Sequence, residues 1–542
     1  MHLPISVYSL TTKRVIVKAA SSLLPSRRIN LSPQENKLLI NNNKERLGKE
    51  ETENLKFLIR SGQDPLGDAY CALRSQDERR KAGAIYTPYT IIAPMVNWPH
   101  FENLSPARIV DAGAGSGRFI LRAGAVYNSA LLIGIERDPI AALILRANAS
   151  VLNMLPRLQV IVGDYRSVNL NRINGATLFI GNPPYTRHHN ISKTWKDWFS
   201  NLLSGHNIPS SKLAGLHVHF FAKTLQLSKE GDYGVFITSS EWLDVNYGKV
   251  LRHMLTNGLG GLSIHVLSPE SLPFNDAHTT GAITCFKVGS TQTSIKFRSV
   301  DSPSDLKNLS EGGHKVSKSL LNASSRWSIY VKRTRSSTAG SVKIGDIFRV
   351  HRGQVTGCNR VFIEGGYDGE LPGTILYPTV TRAQELFDSA IMLTSSEGFK
   401  NVIDIPEDLS QFGRAERKKI NRFLTWAIQQ KANESYIAKH RKPWWSVRLY
   451  QPAPIICTYM ARRSPRFIRN LCDMRHINIA HGLYPVTHLS NEDLDLVVNW
   501  LNHNVSKKSG RTYAGGLTKF EPGEVANIII PSIDQLRDGG GL

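Results

Sequence analysis

Between residues 107 and 287 short apolar runs alternate with helical patterns, and this alternation leaves the chain few folds to choose from. Residues 107–111, 130–136, 158–163, 177–181, 234–238, 262–267 and 281–287 read as strands. Residues 119–126, 139–153, 217–227 and 241–255 carry helical spacing, the second of them opening on Pro139 at a first helical position. Strand and helix in turn predict an α/β fold: a doubly wound sheet whose ligands lie beyond the carboxyl ends of its strands.

The chemistry-bearing residues fall at those ends. Asp111-Ala112-Gly113-Ala114-Gly115-Ser116-Gly117 follows the first strand. Its alternate glycines permit positive φ and close backbone approach, and the helix start that follows faces the ligand. The spacing is not the G-x-G-x-x-G that cradles a pyrophosphate. Glu136 ends the next strand and can accept two ribose hydroxyls; Asp164 ends the third and can accept from an adenine amino group. A ribose and an adenine held by carboxylates, without a phosphate-binding pattern, point to S-adenosylmethionine, whose sulfonium cation favours acidic and aromatic neighbours.

Gly181-Asn182-Pro183-Pro184-Tyr185 closes the fourth strand. Two prolines stiffen the loop, Asn182 brings a carbonyl acceptor and an amide donor, and Tyr185 brings a flat ring. Such a loop suits a planar group with an amino nitrogen, as in a nucleobase. The Asn182 side-chain oxygen and the Pro183 carbonyl would accept its two N–H bonds and turn the lone pair toward a methyl donor. Upstream, Ile91, Ile92, Met95 and Val96 predict a helix opened near Thr87 or Thr90, with Thr87 as its cap.

Lys+Arg number 67 against 44 Asp+Glu in 542 residues, a net charge of +23 that favours a polyanionic partner. Residues 441–475 concentrate this excess in Arg441, Lys442, Arg448, Arg462, Arg463, Arg466, Arg469 and Arg475 against a single acid, Asp473. Tyr450, Tyr459 and Phe467 are interleaved, a mixture suited to phosphate positioning with some base contact. The five cysteines form no C-x-x-C pair, so neither a zinc knuckle nor a disulfide framework is expected, and a reducing cytoplasm fits. His217 and His219, two apart on a helix, point to different sides, and no metal site is expected of them. No apolar run reaches the roughly eighteen residues of a membrane span, so the protein is read as soluble. Residues 1–34 carry no Asp or Glu and read as a basic tail, a transit peptide being the alternative.

The ordered set Gly83-Ala84-Ile85-Tyr86-Thr87-Pro88, the Asp111 glycine loop, Glu136, Asp164-Tyr165 and Asn182-Pro183-Pro184-Tyr185 spans residues 79–288 in family order. In it the chain resembles the gamma group of amino-methyltransferases of restriction-modification systems, the family of the Taq DNA-adenine methylase. The resemblance implies a Rossmann-like class I S-adenosylmethionine-dependent methyltransferase domain with a mostly parallel mixed sheet, and a C-terminal α+β target-recognition domain. It implies that Thr87 helps hold the methionine part of the donor, Glu136 the ribose and Asp164 the adenine, with Tyr165 against the cofactor ring and Tyr86 and Asn182 also at the cofactor site. Asn182 and Pro183 would bind the target amine, Tyr185 would stack on an extruded base, and Phe274 would lie on that base's other face. Asn rather than Ser at position 182 favours adenine N6; cytosine N4 is the nearest alternative, with RNA-base or protein-glutamine methylation and an inactive DNA-binding relic further off.

Phe348 to Gly357, Trp444-Trp445 and Arg511 to Pro522 also resemble the second half of large relatives. The organisation expected is a flexible extension over 1–60, a catalytic domain over 61–290, a linker or edge region over 291–340 and a target-recognition domain over 341–542. The partners implied are double-stranded DNA and a separate restriction endonuclease acting on the same site, the protein being a monomer in the bacterial cytoplasm. One departure stands out: where many relatives have acidic-Leu-Tyr, this chain has Gly215-Leu216-His217.

Overall fold

A computed structural model describes residues 10–25, 30–41, 46–75, 78, 87–268, 281–331, 341–506, 510–513 and 517–538. The chain divides into two compact units, Met1–Thr334 and Arg335–Leu542.

The first unit is built on a nine-stranded sheet of order β3-β2-β1-β4-β5-β7-β6-β8-β9. Its strands are β1 (Pro106–Ala112), β2 (Leu131–Glu136), β3 (Leu158–Val162), β4 (Ala176–Gly181), β5 (Tyr233–Ser239), β6 (Gly261–Leu267), β7 (Gly281–Lys287), β8 (Ser294–Val300) and β9 (His314–Ser317). β3, β2, β1, β4 and β5 are mutually parallel, whereas β7 enters antiparallel between β5 and β6. This is the doubly wound sheet that the alternation predicts, with the mostly parallel mixed order that the resemblance implies. The strands read as near-continuous apolar runs because both faces are covered: β5 is buried along its whole length.

One face packs against α5 (Tyr89–Phe101), α6 (Arg118–Val126) and α7 (Pro139–Val151), and the other against α8 (Lys193–Ser204), α9 (Leu216–Leu227) and α10 (Lys249–Thr256). The sheet winds one way from β1 through β2 to β3, then reverses to β4 and β5. The crevice between the carboxyl ends of β1 and β4 is therefore the topological switch point, where open α/β sheets bind ligands.

Ahead of the sheet lie α1 (Lys13–Leu23), α2 (Pro33–Asn41), α3 (Lys49–Arg60) and α4 (Pro65–Leu73). Ile16, Val17, Leu23, Leu55, Ile59 and Leu66 share one core with Leu143, Ile144 and Ala147 of α7. Downstream of β7, β8 and β9 extend the sheet, and the buried Trp327 packs edge-on to Trp242. The single helix expected over 241–255 is broken instead into two short 3-10 turns, Ser240–Leu243 and Asn246–Gly248, ahead of α10. At the break Gly248 passes close to the Trp242 carbonyl, where a Cβ would lie 1.9 Å from the oxygen, so the turn requires glycine.

The second unit is α+β. Its five-stranded sheet runs β10-β14-β12-β13-β11, where β10 is Phe348–Arg352, β11 Met392–Leu393, β12 Ile455–Thr458, β13 Phe467–Asn470 and β14 Ala480–Pro485. Two helices carry its apolar cores: α11 (Arg414–Gln429) with Ile420, Phe423 and Leu424, and α12 (Asn491–Asn504) with Val497, Val498 and Leu501. Among the described residues no helix is long and apolar enough to cross a membrane.

Candidate active site

In register, Asp111 of β1 lies beside Ile180 of β4 on one side and Gly134 of β2 on the other, so the glycine loop and the Asn-Pro-Pro-Tyr loop leave the sheet side by side. Gly113, Gly115 and Gly117 have φ of 85°, 54° and 98°, the left-handed region that favours glycine. The backbone N–H groups of Gly113 and Ala114 both donate to the Ile135 carbonyl at 2.9 Å, folding the loop over the end of β2. Asp111 is wholly buried beneath it; one carboxyl oxygen accepts from the Ile120 N–H at 3.1 Å and so holds the start of α6. Burial pushes this carboxyl up to about 8, the Ile120 bond opposing and the charge of Glu136 adding to the shift. Its Oδ1 has no hydrogen-bond partner among the described residues and lies under Gly181, where a Cβ would come within 2.7 Å of it. With a φ of 141° as well, position 181 admits only glycine.

Beyond these loops opens a cavity of about 890 Å³. Of the residues expected to hold a cofactor, Thr87, Gly113, Gly115, Glu136, Asp164, Tyr165 and Asn182 line it, as does Pro184. Asp111, Gly117, Pro183 and Tyr185 do not line it. Tyr86 and Phe274 fall outside the described residues.

Glu136 accepts from the Gly115 N–H at 2.8 Å and from the Asp138 N–H at 2.8 Å, which aligns its carboxylate with the glycine loop. Burial raises its pKa despite those two bonds. Burial alone would raise Asp164 too, but hydrogen bonds from Arg166 outweigh it and hold the carboxyl below its usual value. Arg166 grips both Asp164 oxygens, at 2.9 and 2.6 Å, and its guanidinium stacks on the Trp195 ring at 4.0 Å. The Tyr165 hydroxyl pairs with the Thr224 hydroxyl at 2.9 Å and its ring packs on Phe220 at 5.0 Å. Arg166, Trp195 and Phe220 all line the cavity, and sequence reasoning missed each of them. Arg166 directly follows the Asp164-Tyr165 pair and was the one with a local signal; Phe220 read as an ordinary apolar helix position, and the helix that carries Trp195 was not foreseen. Lys13, from the expected N-terminal extension, and Arg74, ahead of the motif set that starts at residue 79, also reach the wall.

The Asn182 amide nitrogen donates to the Thr87 hydroxyl at 3.1 Å, which fixes the rotation of the carboxamide and hence the direction of its carbonyl oxygen. Thr87 is therefore not the cap expected of it: α5 starts after Pro88, without a side-chain cap. The Tyr185 hydroxyl has no hydrogen-bond partner among the described residues, and burial raises its pKa. Its ring meets the edge of His217 at 6.4 Å, and His217 in turn meets Tyr247 at 6.2 Å. His217 is 4% exposed with neither ring nitrogen bonded to a described residue, and burial lowers its pKa to about 4. His219, on the other side of the helix, stacks on Phe199 at 4.1 Å.

That burial gives stability an acid limb. The folded value of about 4 lies below the unfolded value of about 6.5, so between them the unfolded chain binds the His217 proton more tightly. The stabilisation is complete above about pH 6.5 and is lost as pH falls toward 4, by up to about 3 kcal/mol. In thermal denaturation between pH 7 and pH 5, His217→Phe is expected to lose less of its midpoint temperature than the wild type. An equal fall in both would mean that the ring is reached by water.

In the second unit most of the expected DNA-binding residues are engaged within the protein. Arg441 donates to the carbonyls of Val355 and Thr356, and Arg448 pairs with Glu407. Arg463 lies 3.6 Å over the Phe387 ring, and Arg466 donates to the Ser389 carbonyl. Arg469 is 4% exposed and bonded to Asp495, Asn491 and the Pro454 carbonyl, so its guanidinium ties β13 to α12 and is unavailable to a ligand. Lys442 and Arg462 are exposed, and their side chains pair with no described residue.

A family model described as Eco57I restriction-modification methylase matches residues 165–265, and one described as Type II methyltransferase M.Eco57I, C-terminal domain, matches residues 314–539. The chain is 50% identical over 457 residues to Type II methyltransferase M.XamI of Xanthomonas campestris pv. amaranthicola, covering 84% of this chain and 86% of that protein. It is 23% identical over 474 residues to Type II methyltransferase M.AccI of Acinetobacter calcoaceticus, covering 83% and 85%. Among solved structures, the Type IIL restriction-modification enzyme MmeI in complex with DNA shares the fold at a TM-score of 0.51 and 12% identity, over 98% of this chain and 81% of that one. The sheet, the two loops at its switch point and half-identity along most of the chain lead to one assignment: the protein belongs to the type II methyltransferases of restriction-modification systems.

Proposed function

We propose that the protein methylates the N6 amino group of adenine in duplex DNA, with S-adenosylmethionine as donor and the target base turned out of the helix, as the modification enzyme of a restriction-modification system. The observation that carries the reading is the placement of Asn182, locked by Thr87, on the wall of a cavity that Glu136 and Asp164 also line. The residues fit the donor: a carboxylate aligned with a glycine loop suits a ribose diol, and Ile135 and Phe220 offer apolar surface to a purine. Bound there, S-adenosylmethionine supplies an electrophilic methyl group on a sulfonium.

The chain's own residues then have one task, to present a poor nucleophile correctly. An exocyclic amine is unreactive while its lone pair is delocalised into the ring. Acceptance of both N–H bonds by the Asn182 oxygen and the Pro183 carbonyl draws the nitrogen toward a tetrahedral shape. As the new N–C bond forms the S–C bond breaks, and the proton leaves the nitrogen afterwards to solvent, so no general base is needed beforehand. Extrusion costs a few kcal/mol of stacking, part of which the Tyr185 ring recovers.

Transfer of tritiated methyl groups to DNA, followed by nucleoside analysis, is expected to give N6-methyladenine. N4-methylcytosine would move the loop to the other base, and label on protein or RNA alone would remove DNA as the substrate.

A further inference from the structure

Helix α11, Arg414–Gln429, has two unlike faces. Ile420, Phe423, Leu424 and Ala427 are buried in the second unit's core. Residues 414, 417, 418, 421, 422 and 425 recur every three or four positions, so they share the opposite face, and all six are exposed around one surface recess. Four of them are cations, Arg414, Arg417, Lys418 and Arg422; Asn421 and Thr425 are neutral hydrogen-bonding groups. The face carries no acid. Glu416, the acid of the first turn, is folded back onto the Gly413 N–H at 3.1 Å, and Lys419, on the flank, is paired with Glu370 at 2.7 Å. None of the four cations on the face pairs with a described residue.

Like charges at this spacing repel one another and weaken the helix by about 0.2–0.5 kcal/mol per pair. A protein whose neighbouring arginines are nearly all tied to carbonyls, carboxylates or rings leaves these four unspent. From Arg414 to Thr425 the face runs about 16 Å, at the α-helical rise, about five base-pair steps of duplex DNA measured along its axis.

We propose that this face of α11 is a phosphate-backbone contact of the DNA-recognition half, and that it positions the duplex rather than reads its sequence. The proposal rests on duplex DNA being the substrate, as argued above. It relocates the electrostatic footprint from residues 441–475, where charge counting puts it, to α11, which that count leaves out.

The test is the full-length variant Arg414→Gln/Arg417→Gln/Lys418→Gln/Arg422→Gln, titrated by fluorescence anisotropy against two duplexes over a range of salt. One duplex carries a site found methylated by the wild type and the other a scrambled sequence. Affinity for both is expected to fall by a similar factor, about 100-fold or more near 0.15 M salt. The slope of log K against log salt should become shallower by about three to four, since each phosphate that the protein no longer neutralises takes about 0.9 from it. S-adenosylmethionine affinity measured by calorimetry should be unchanged, since the catalytic unit is untouched. Wild-type affinity and slope in the variant, with wild-type DNA methylation intact, would overturn the inference and leave the function standing. Loss confined to the cognate duplex would overturn it in favour of base reading. A wild-type chain that methylates no duplex DNA would sink the function and this inference with it.

Discussion

Asn182→Ala is expected to lower methyl transfer by about 1000-fold or more, about 4 kcal/mol of transition-state stabilisation, while S-adenosylmethionine still binds within about threefold of wild type. The loop's backbone is fixed by Pro183, Pro184 and the glycine-only turn at Gly181, so truncating the side chain leaves the main-chain acceptor at Pro183 in place. What disappears is the one acceptor whose direction is set by a partner far away in the chain, the Thr87 hydroxyl at 3.1 Å. Thr87→Val keeps the shape and removes only that bond; a single neutral hydrogen bond of about 1 kcal/mol predicts a loss of about five- to tenfold, intermediate between wild type and Asn182→Ala. Tritium transfer under saturating DNA gives the rates, and calorimetry gives the donor affinities. If donor affinity fell in step with the rate, Asn182 would belong to the cofactor site and the amine-orienting role would be lost.

How far the sequence foretold this site depended on whether a residue's partner was local. Gly113, Gly115 and Gly117 could be read directly, because positive φ and close approach are properties of the backbone at those positions. Glu136 was legible for the same reason: strand alternation puts it at the carboxyl end of β2, beside the loop it contacts. Thr87 was misread as a cap because its actual partner, Asn182, is 95 residues away. Arg166 had a local signal in Asp164, two residues before it, whereas the Trp195 ring it covers comes from α8. In the second unit a count of basic residues could not separate free charges from engaged ones. Arg469 and Arg422 are alike in sequence, yet one is bonded inside the unit to Asp495 and the other faces water from a helix surface.

The same distinction leads to the largest stability effect, in a segment that composition alone marks as an extension. Glu35→Ala is expected to destabilise the first unit by about 3–5 kcal/mol. Glu35 is wholly buried; its two carboxylate oxygens accept from Arg146 of α7 at 2.7 and 3.2 Å, and one also accepts from the Ser32 N–H at 2.7 Å. Arg146 is itself nearly buried, and its only other bond to a described residue is to the Val160 carbonyl of β3. Removing the carboxylate therefore leaves a guanidinium in the interior without its counter-charge, a penalty comparable to a third or more of the stability of an ordinary domain. Replacing both partners by methionine removes the stranded charge along with the pair, and should recover most of the loss. Chemical denaturation of the wild type, the single variant and the double variant separates these cases. A single-variant loss below about 1 kcal/mol would mean that α2 is not held against α7 in solution. Because α7 also lends Ala141 to the cavity wall, the loss should carry a second sign that a peripheral tail would not give: weaker S-adenosylmethionine binding in the single variant, restored in the double.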